Sequence, residues 1–275
     1  DLAPIMIIIG ATSPSFTAFL LTYLKNGKDG VKQLLKRGVD FKIGKKWYIP
    51  IFLIIPTAVF GGFGLSMILT GRLTALLDPT LLLMIPLMFI LMFPLMLIGG
   101  PLNEEFGWRG YALDRLQTKW NALGSSLILG VIWAGWHLPL FFLPGTGQNL
   151  LLTYVPILAV LQMVFLILMT ILFTWLHNNT GGSVLVAILF HCGWNTSFNV
   201  YMILNFIPFG LTDPSQLSTI SPSVMELLSL LIIYGNLFTA LILLVIVIFV
   251  VLKWGVFLKG SEQIIDLQKN LDNHI

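Results

Sequence analysis

The sequence predicts an all-α membrane protein, a polytopic bundle of seven or eight transmembrane helices. Of its 275 residues, 57% are hydrophobic and only 10% are charged, whereas about a quarter of the residues of an ordinary soluble domain are charged. The apolar residues occur in runs of roughly 20, the length at which a helix crosses a bilayer core of about 30 Å. These observations exclude a soluble fold, and residues 1–275 are predicted to form a single transmembrane domain.

Seven apolar segments are predicted as spans, joined by polar connections. In chain order they are 2–24, 47–69, 81–102 with a continuation to 112, 123–142, 150–176, 183–206 and 227–252. The first segment lacks the basic flank of a signal peptide and is too long for one. Because the chain begins with Asp rather than Met and enters an apolar run at once, we expect that an N-terminal segment is missing.

The connections carry a charge asymmetry that predicts the orientation of the bundle. Of the 15 basic residues, all but Arg72 lie in the first connection, in the third connection or in the C-terminal tail. Seven spans place these three regions on one side, and short loops rich in Lys and Arg stay on the cytoplasmic side. We therefore expect a bacterial plasma membrane protein whose C-terminus and active site face the cytoplasm.

The first connection also contains apolar residues at helical spacing among its lysines. Val31, Leu34, Leu35 and Val39 recur as on one face of a helix, which is typical of an amphipathic helix on a membrane surface. The alternative is an irregular loop that is basic only because it is cytoplasmic.

Residues 101–112, PLNEEFGWRGYA, place ionisable groups at the end of an apolar run. Such groups cost roughly 2.5–3.5 kcal/mol each at the centre of a membrane and usually mark a functional site. Glu105 and Arg109 are four residues apart and can pair on one helix face, whereas Glu104 points elsewhere and is left free as a general base. The alternative interpretation places both acids in the cytoplasmic headgroup layer, where long polar side chains reach water.

A histidine, His137, lies in the apolar stretch IWAGWHLPLFF, one helical turn after Trp133. A lone histidine in an apolar helix often serves only as a hydrogen-bonded packing element. If the span begins near residue 123, His137 lies about 21 Å along it at 1.5 Å per residue. This depth is too great for a site at the cytoplasmic surface, so we expect the helix to tilt or to enter the membrane late.

Further along, His191 and Asn195 in HCGWN are four residues apart and share a helix face. An imidazole and an amide side by side can hydrogen-bond a developing oxyanion, although such a pair can also be a hydrogen bond between helices. The single cysteine, Cys192, cannot form an internal disulfide, and it points about 100° away from His191. We interpret it as a small core residue.

Together these groups are suited to activating water for hydrolysis. In the mechanism we prefer, Glu104 and His137 polarise a water molecule while His191 and Asn195 hold the oxyanion, and no cofactor is required. Alternatively, Glu104, His137 and His191 could ligate zinc and leave a position open for water. No HExxH motif is present, so the zinc alternative depends on residue type alone.

The three motifs in this order resemble the type II CAAX prenyl endopeptidase and bacteriocin-processing (CPBP, Abi) family of intramembrane proteases. EEFGWR matches the EExxxR pattern, WAGWH stands where the family has FxxxH, and HCGWN matches HxxxN. The resemblance implies a protease core at about 81–206, with Glu104 as base, His137 as its partner, His191 and Asn195 as the oxyanion site, and Glu105 and Arg109 in support. Trp133 departs from the Phe that is usual at its position.

The resemblance implies an endopeptidase that cleaves a membrane-tethered peptide, either prenylated and CAAX-like or related to bacteriocins. The bilayer is the other expected partner, and no nucleic acid is expected. Two alternatives are a proton-coupled transporter, because buried Glu and His also form proton relays, and a non-catalytic immunity protein of the same fold. The spans lack the paired halves typical of inverted-repeat transporters.

Overall fold

The computed structural model describes residues 3–72, 79–206, 216 and 220–259. Within these residues the chain is helical and contains no β-strand. The α-helices are α1 (Ala3–Val39), α2 (Tyr48–Leu69), α3 (Pro79–Ile98), α4 (Pro101–Gly107), α5 (Leu113–Leu116), α6 (Ala122–Phe142), α7 (Gly147–Tyr154), α8 (Ile157–Asn179), α9 (Val184–Phe206) and α10 (Pro222–Trp254). A π-helical turn, Trp108–Ala112, joins α4 to α5.

The predicted all-α membrane bundle is confirmed, but the predicted count of seven or eight spans is not. In the described part of the chain, five helices are long and apolar enough to cross a membrane, and the pair α3 and α4–α5, bent by 51°, can count as a sixth. Helix α9 has 23 residues but is not among these candidates. Its apolar side chains are interrupted by polar ones, including His191, Asn195 and Asn199.

One predicted span, 150–176, is wrong at its beginning. The structure divides it into the short helix α7 and the long helix α8, which begins only at Ile157. Pro156 between them has no backbone N–H to donate to a preceding turn and disfavours a helical conformation at Val155. Val155 accordingly leaves the helical region, with φ −143° and ψ 72°.

The basic first connection is helical, as the amphipathic interpretation predicted. Helix α1 continues to Val39 after a break at Gly27, whose φ of 63° is in the left-handed region that favours glycine. Leu34 is buried against Phe106 and Val184, whereas Leu35 and Val39 are exposed. The irregular loop is therefore wrong for this segment up to Val39.

Small residues bring neighbouring helices close together. A Cβ atom added at Gly62 of α2 would overlap Thr239 and the Gly235 carbonyl of α10, and one added at Gly130 of α6 would lie 3.0 Å from Cα of Ile167 in α8. Close backbone approach at small residues is a general means of packing helices in membranes, where van der Waals contact replaces the hydrophobic effect.

The bundle has two ends, which we name by their residues. At the basic end, α8 and α10 finish and α6 and α9 begin, and Asn178 and Asn179 donate hydrogen bonds to the Phe257 and Leu258 carbonyls. Arg37 joins this end by donating to the Gly182 carbonyl. At the far end, α6 and α9 finish, α8 and α10 begin, and α7 lies between α6 and α8.

Candidate active site

Helix α4 carries both predicted acids and begins at a break in the chain. Gly100 has φ −169° and ψ −56° and precedes Pro101, which occupies the first turn of α4, where no backbone N–H donor is needed. A Cβ atom at Gly100 would lie 3.1 Å from Glu104 Oε1 and 3.6 Å from Asn195 Nδ2. Glycine therefore allows the acid and the amide to approach the same point.

Glu105 and Arg109 form the ion pair predicted from their spacing. Arg109 Nη1 donates to both carboxylate oxygens of Glu105, at 3.0 and 3.1 Å, and both side chains are 0% exposed. Arg109 Nη2 also donates to Thr170 Oγ1 at 3.3 Å. The guanidinium carbon lies 3.8 Å from the ring centre of Phe173, which holds the charge by a cation–π contact.

His191 is the third member of this buried group, which sequence spacing did not reveal. Its Nδ1 lies 2.7 Å from Glu105 Oε1. Because a carboxylate only accepts, Nδ1 carries a hydrogen and donates it, so the ring is oriented with Nε2 as its other polar atom. Glu105 therefore connects Arg109 with one of the predicted catalytic histidines.

Glu104 accepts a hydrogen bond from Trp133, which in the sequence stands out only as a replacement for the usual Phe. Trp133 Nε1 donates to Glu104 Oε2 at 2.8 Å, and Glu104 is 6% exposed. The Phe usual at position 133 in the family has no such donor. The signal in the sequence was an indole one turn before His137, on the same face of α6.

His137 is oriented by its own helix. Its Nδ1 lies 2.8 Å from the Trp133 carbonyl oxygen, which only accepts, so Nδ1 donates and Nε2 is free for other partners. The imidazole packs edge-on against Trp133 and Trp136, with ring centres 5.6 and 4.9 Å away. Glu104 and His191 both lie within electrostatic range of it.

Three of the four predicted catalytic residues meet at one cavity of about 850 Å³. His137, His191 and Asn195 line its wall, as does Trp133. Glu104 is not among the described residues that line the cavity, but its carboxylate accepts a hydrogen bond from Trp133, which does line it. The structure thus brings three of the four predicted residues to one cavity wall and holds the fourth, Glu104, by a hydrogen bond to a residue of that wall.

The zinc alternative depends on Glu104, His137 and His191. Among the described residues, no three His, Cys, Asp or Glu side chains are grouped so that they could hold a metal ion. His137 and His191 each use Nδ1 for a hydrogen bond and keep Nε2 for another partner, as metal-binding histidines also do. Because the side chains are not grouped for ligation, we derive no catalytic step through a metal.

A second polar group fixes the chain just beyond Arg109. Arg37 Nη1 donates to Asp114 Oδ2 at 2.7 Å and to the Gly110 carbonyl at 3.1 Å. His177 Nε2 lies 3.0 Å from Asp114 Oδ1. The sequence indicated Arg37 only as part of the basic connection, yet it ties that connection to the π-helical turn.

Two comparisons with known proteins bear on the identity of the chain. The family model described as type II CAAX prenyl endopeptidase Rce1-like matches residues 86–197, which include all three motifs. The chain is also 24% identical, over 197 residues, to CAAX prenyl protease 2 of Methanococcus maripaludis, covering 68% of this chain and 69% of that relative. Both matches agree with the resemblance drawn from the motifs, and with the apolar helix bundle they support an integral membrane protein that is similar to CAAX prenyl proteases.

Proposed function

We propose that the protein is an intramembrane endopeptidase that hydrolyses a peptide bond with a water molecule activated by Glu104 and His137. The observation that carries the proposal is the buried Glu104 carboxylate, fixed by Trp133 beside a cavity lined by His137, His191 and Asn195. A carboxylate and an imidazole so placed can remove a proton from water as its oxygen attacks the substrate carbonyl carbon.

The proton then has a defined path. Glu104 accepts it from the attacking water, while His137 presents the lone pair of Nε2, because its Nδ1 hydrogen is used by the Trp133 carbonyl. When the tetrahedral intermediate collapses, the C–N bond breaks and the leaving nitrogen takes up the proton. The products are a carboxylic acid and an amine, and no other reactant is consumed.

We assign the oxyanion to His191 and Asn195, which both line the cavity and lie one helical turn apart on α9. Glu105 engages Nδ1 of His191, so Nε2 is the ring nitrogen left to meet the oxyanion, beside the Asn195 amide.

The membrane orientation and the substrate that we propose follow from the distribution of basic residues and from the name of the similar protein. The basic end carries Lys119, Lys253 and Lys259, so it faces the cytoplasm of a bacterial plasma membrane. The catalytic core extends over about 81–206 within one domain of 1–275. The Methanococcus maripaludis relative is named CAAX prenyl protease 2, and we propose a membrane-tethered peptide substrate that is prenylated and CAAX-like or related to bacteriocins.

The test is Glu104→Gln in cells that co-express membrane-tethered reporter peptides. This change keeps the size and the acceptor oxygen but removes the base, and we expect cleavage to fall by about 10²–10⁴-fold, the usual contribution of a general base. Glu226→Gln makes the same change at an exposed position on α10 and is expected to have no effect. Cleavage that survives Glu104→Gln would refute the mechanism.

Metal dependence is tested separately. Purified protein is assayed for bound zinc, and cleavage is measured with and without a chelator. Our mechanism predicts no stoichiometric zinc and unchanged turnover. Stoichiometric zinc together with loss of cleavage on chelation would replace the proposed roles of Glu104 and His137 with metal ligation.

A further inference from the structure

A surface outside the cavity combines basic and apolar side chains. After the break in α1, Lys28, Lys32 and Lys36 recur every four residues and form one row along the helix. Leu35 and Val39 follow two of these lysines at a spacing of three, so they form a second row beside the first. All five side chains are exposed, Leu35 by 48% and Val39 by 66%. We call these five residues the lysine face.

The opposite side of the same helical segment is buried against the candidate site. Leu34 and Gly38, each two residues from a lysine of the face, point away from it by about 200°. Both are buried and lie against Phe106 of α4. Arg37 donates to the Gly110 carbonyl of the π-helical turn at 3.1 Å. The lysine face is therefore the outer side of a segment whose inner side packs on the helix that carries both acids.

The chain folds back at the break in α1. Phe19 before the break and Gly38 after it both contact the ring of Phe106. In a continuous helix these two residues would be about 28 Å apart at 1.5 Å per residue, too far to share one ring. The second part of α1 therefore does not extend the apolar span that the first part forms.

Exposed apolar side chains flank this segment on both sides in the chain. Leu24 is exposed just before the break, and Ile49 and Leu53 are exposed at the start of α2. On a membrane helix such side chains face the acyl chains of lipid. Tyr23 is also exposed, and tyrosine is enriched where the bilayer meets water. The lysine face thus lies between two lipid-facing helices, at the level of the lipid headgroups.

The charge of the segment selects an anionic partner. All seven lysines of residues 25–46 are exposed, and the same residues contain only two acids. Of the ion pairs among the described residues, one involves the lysine face, between Lys32 and Asp29 at 3.9 Å, and both of its side chains are largely in solvent. A cationic row beside an exposed apolar row is typical of helices that bind anionic bilayers, and clustered lysines attract anionic lipid at a membrane surface.

We propose that the lysine face binds anionic phospholipid headgroups, with Leu35 and Val39 at the boundary between headgroups and acyl chains, and that this contact holds the second part of α1 against α4. Because α4 carries Glu104 and Glu105, anionic lipid then increases turnover. The lipid contact is independent of the proposed protease function, whereas its effect on cleavage rests on that function.

Fluorescence quenching tests the contact without requiring activity. A fluorophore is attached to Gln33→Cys, an exposed position beside the lysine face, while the native Cys192 is buried. Nitroxide-labelled phosphatidylglycerol and phosphatidylcholine are compared as quenchers at equal mole fraction. We expect a preference for phosphatidylglycerol of at least fivefold, about the attraction of one lysine to an anionic surface.

Charge variants assign this preference to the lysine face. The Gln variant combines Lys28→Gln, Lys32→Gln and Lys36→Gln and should quench equally with both lipids, within twofold. The Arg variant, with arginine at the same three positions, should keep the preference. Replacing Lys119, Lys253 and Lys259 by Gln removes the same charge from the same end of the bundle and should also keep it. Equal quenching in the wild type, or a preference that survives in the Gln variant, would overturn the proposal.

Cleavage in nanodiscs tests the effect on turnover. We expect the wild-type kcat to be at least fivefold higher in phosphatidylcholine with phosphatidylglycerol than in phosphatidylcholine alone, and the kcat of the Gln variant to be equal in both. Inorganic phosphate added to phosphatidylcholine nanodiscs should not replace the lipid. Full activation by phosphate, or an unchanged lipid response in the Gln variant, would overturn the proposal. Absence of wild-type cleavage in both lipids would refute the proposed function, while the quenching result still decides the lipid contact.

Discussion

Trp133→Phe is the change that best isolates how Glu104 is held, since it restores the residue usual in the family and removes a single donor. In the structure, Trp133 Nε1 is 2.8 Å from the Glu104 carboxylate. Hydrogen bonds to charged groups contribute about 1.5–3 kcal/mol, which corresponds to about 10–150-fold in rate if the bond is needed in the transition state. Trp133 packs against both Phe173 and His137, and because an aromatic ring remains at this position we expect the variant to fold.

The assay is cleavage of a fluorogenic peptide by purified protein in proteoliposomes, with kcat and KM determined separately. We expect kcat to fall at least tenfold and KM to change less than threefold, because the bond positions the base rather than the substrate. Trp136→Phe is the matched control: Trp136 also packs on His137 but, among the described residues, donates to no carboxylate. Thermal unfolding is measured for both variants. A kcat within threefold of wild type in folded Trp133→Phe would refute the reasoning.

Three further changes test other parts of the site. Arg109→Met leaves the buried Glu105 without its partner and should reduce the unfolding free energy by about 3–5 kcal/mol, seen as a lower unfolding midpoint; a loss below 1 kcal/mol would contradict the buried pair. Gly100→Ala places a methyl group 3.1 Å from Glu104 Oε1 and should lower kcat about tenfold or more, since small displacements of catalytic groups are costly, with an unchanged unfolding midpoint; normal turnover would contradict it. Asn195→Ala should lower kcat about 10²–10³-fold and leave substrate binding, measured by competition, nearly unchanged; equal losses in both would count against the oxyanion role.

The side-chain contact that the sequence predicts joins residues that are close together in the chain. The Glu105–Arg109 pair follows from a spacing of four on one helix, and the structure contains it. The His191–Glu105 hydrogen bond joins positions 86 residues apart, and the Trp133–Glu104 bond joins positions 29 apart. Such contacts depend on how helices rotate and cross, which the pattern of apolar residues does not specify when nearly all faces are apolar.

The count and the bounds of the spans show the same limit. Hydropathy does not show whether α9 crosses the membrane, because the polar residues of the candidate site lower the mean hydropathy of this helix. Pro156 marks the break before α8 in the sequence, but the predicted span 150–176 runs across it. The tilt or late entry expected of the helix that carries His137 stays a prediction; this helix begins at Ala122.

The N-terminal helix supports the segment that carries Glu104 and Glu105, although none of its described residues lines the cavity. Helix α4 has only seven residues, too few to be stable alone. Helix α1 packs against it with residues on both sides of its break. Phe19, before the break at Gly27, packs against Phe106 with the ring planes tilted by 44°, and Gly38, beyond the break, lies against the same ring. The segment that matches the family begins only at residue 86. A chain cut to that segment would keep all four residues of the proposed mechanism but lose the contacts of α1 with Phe106, and we expect α4 to lose its fixed position.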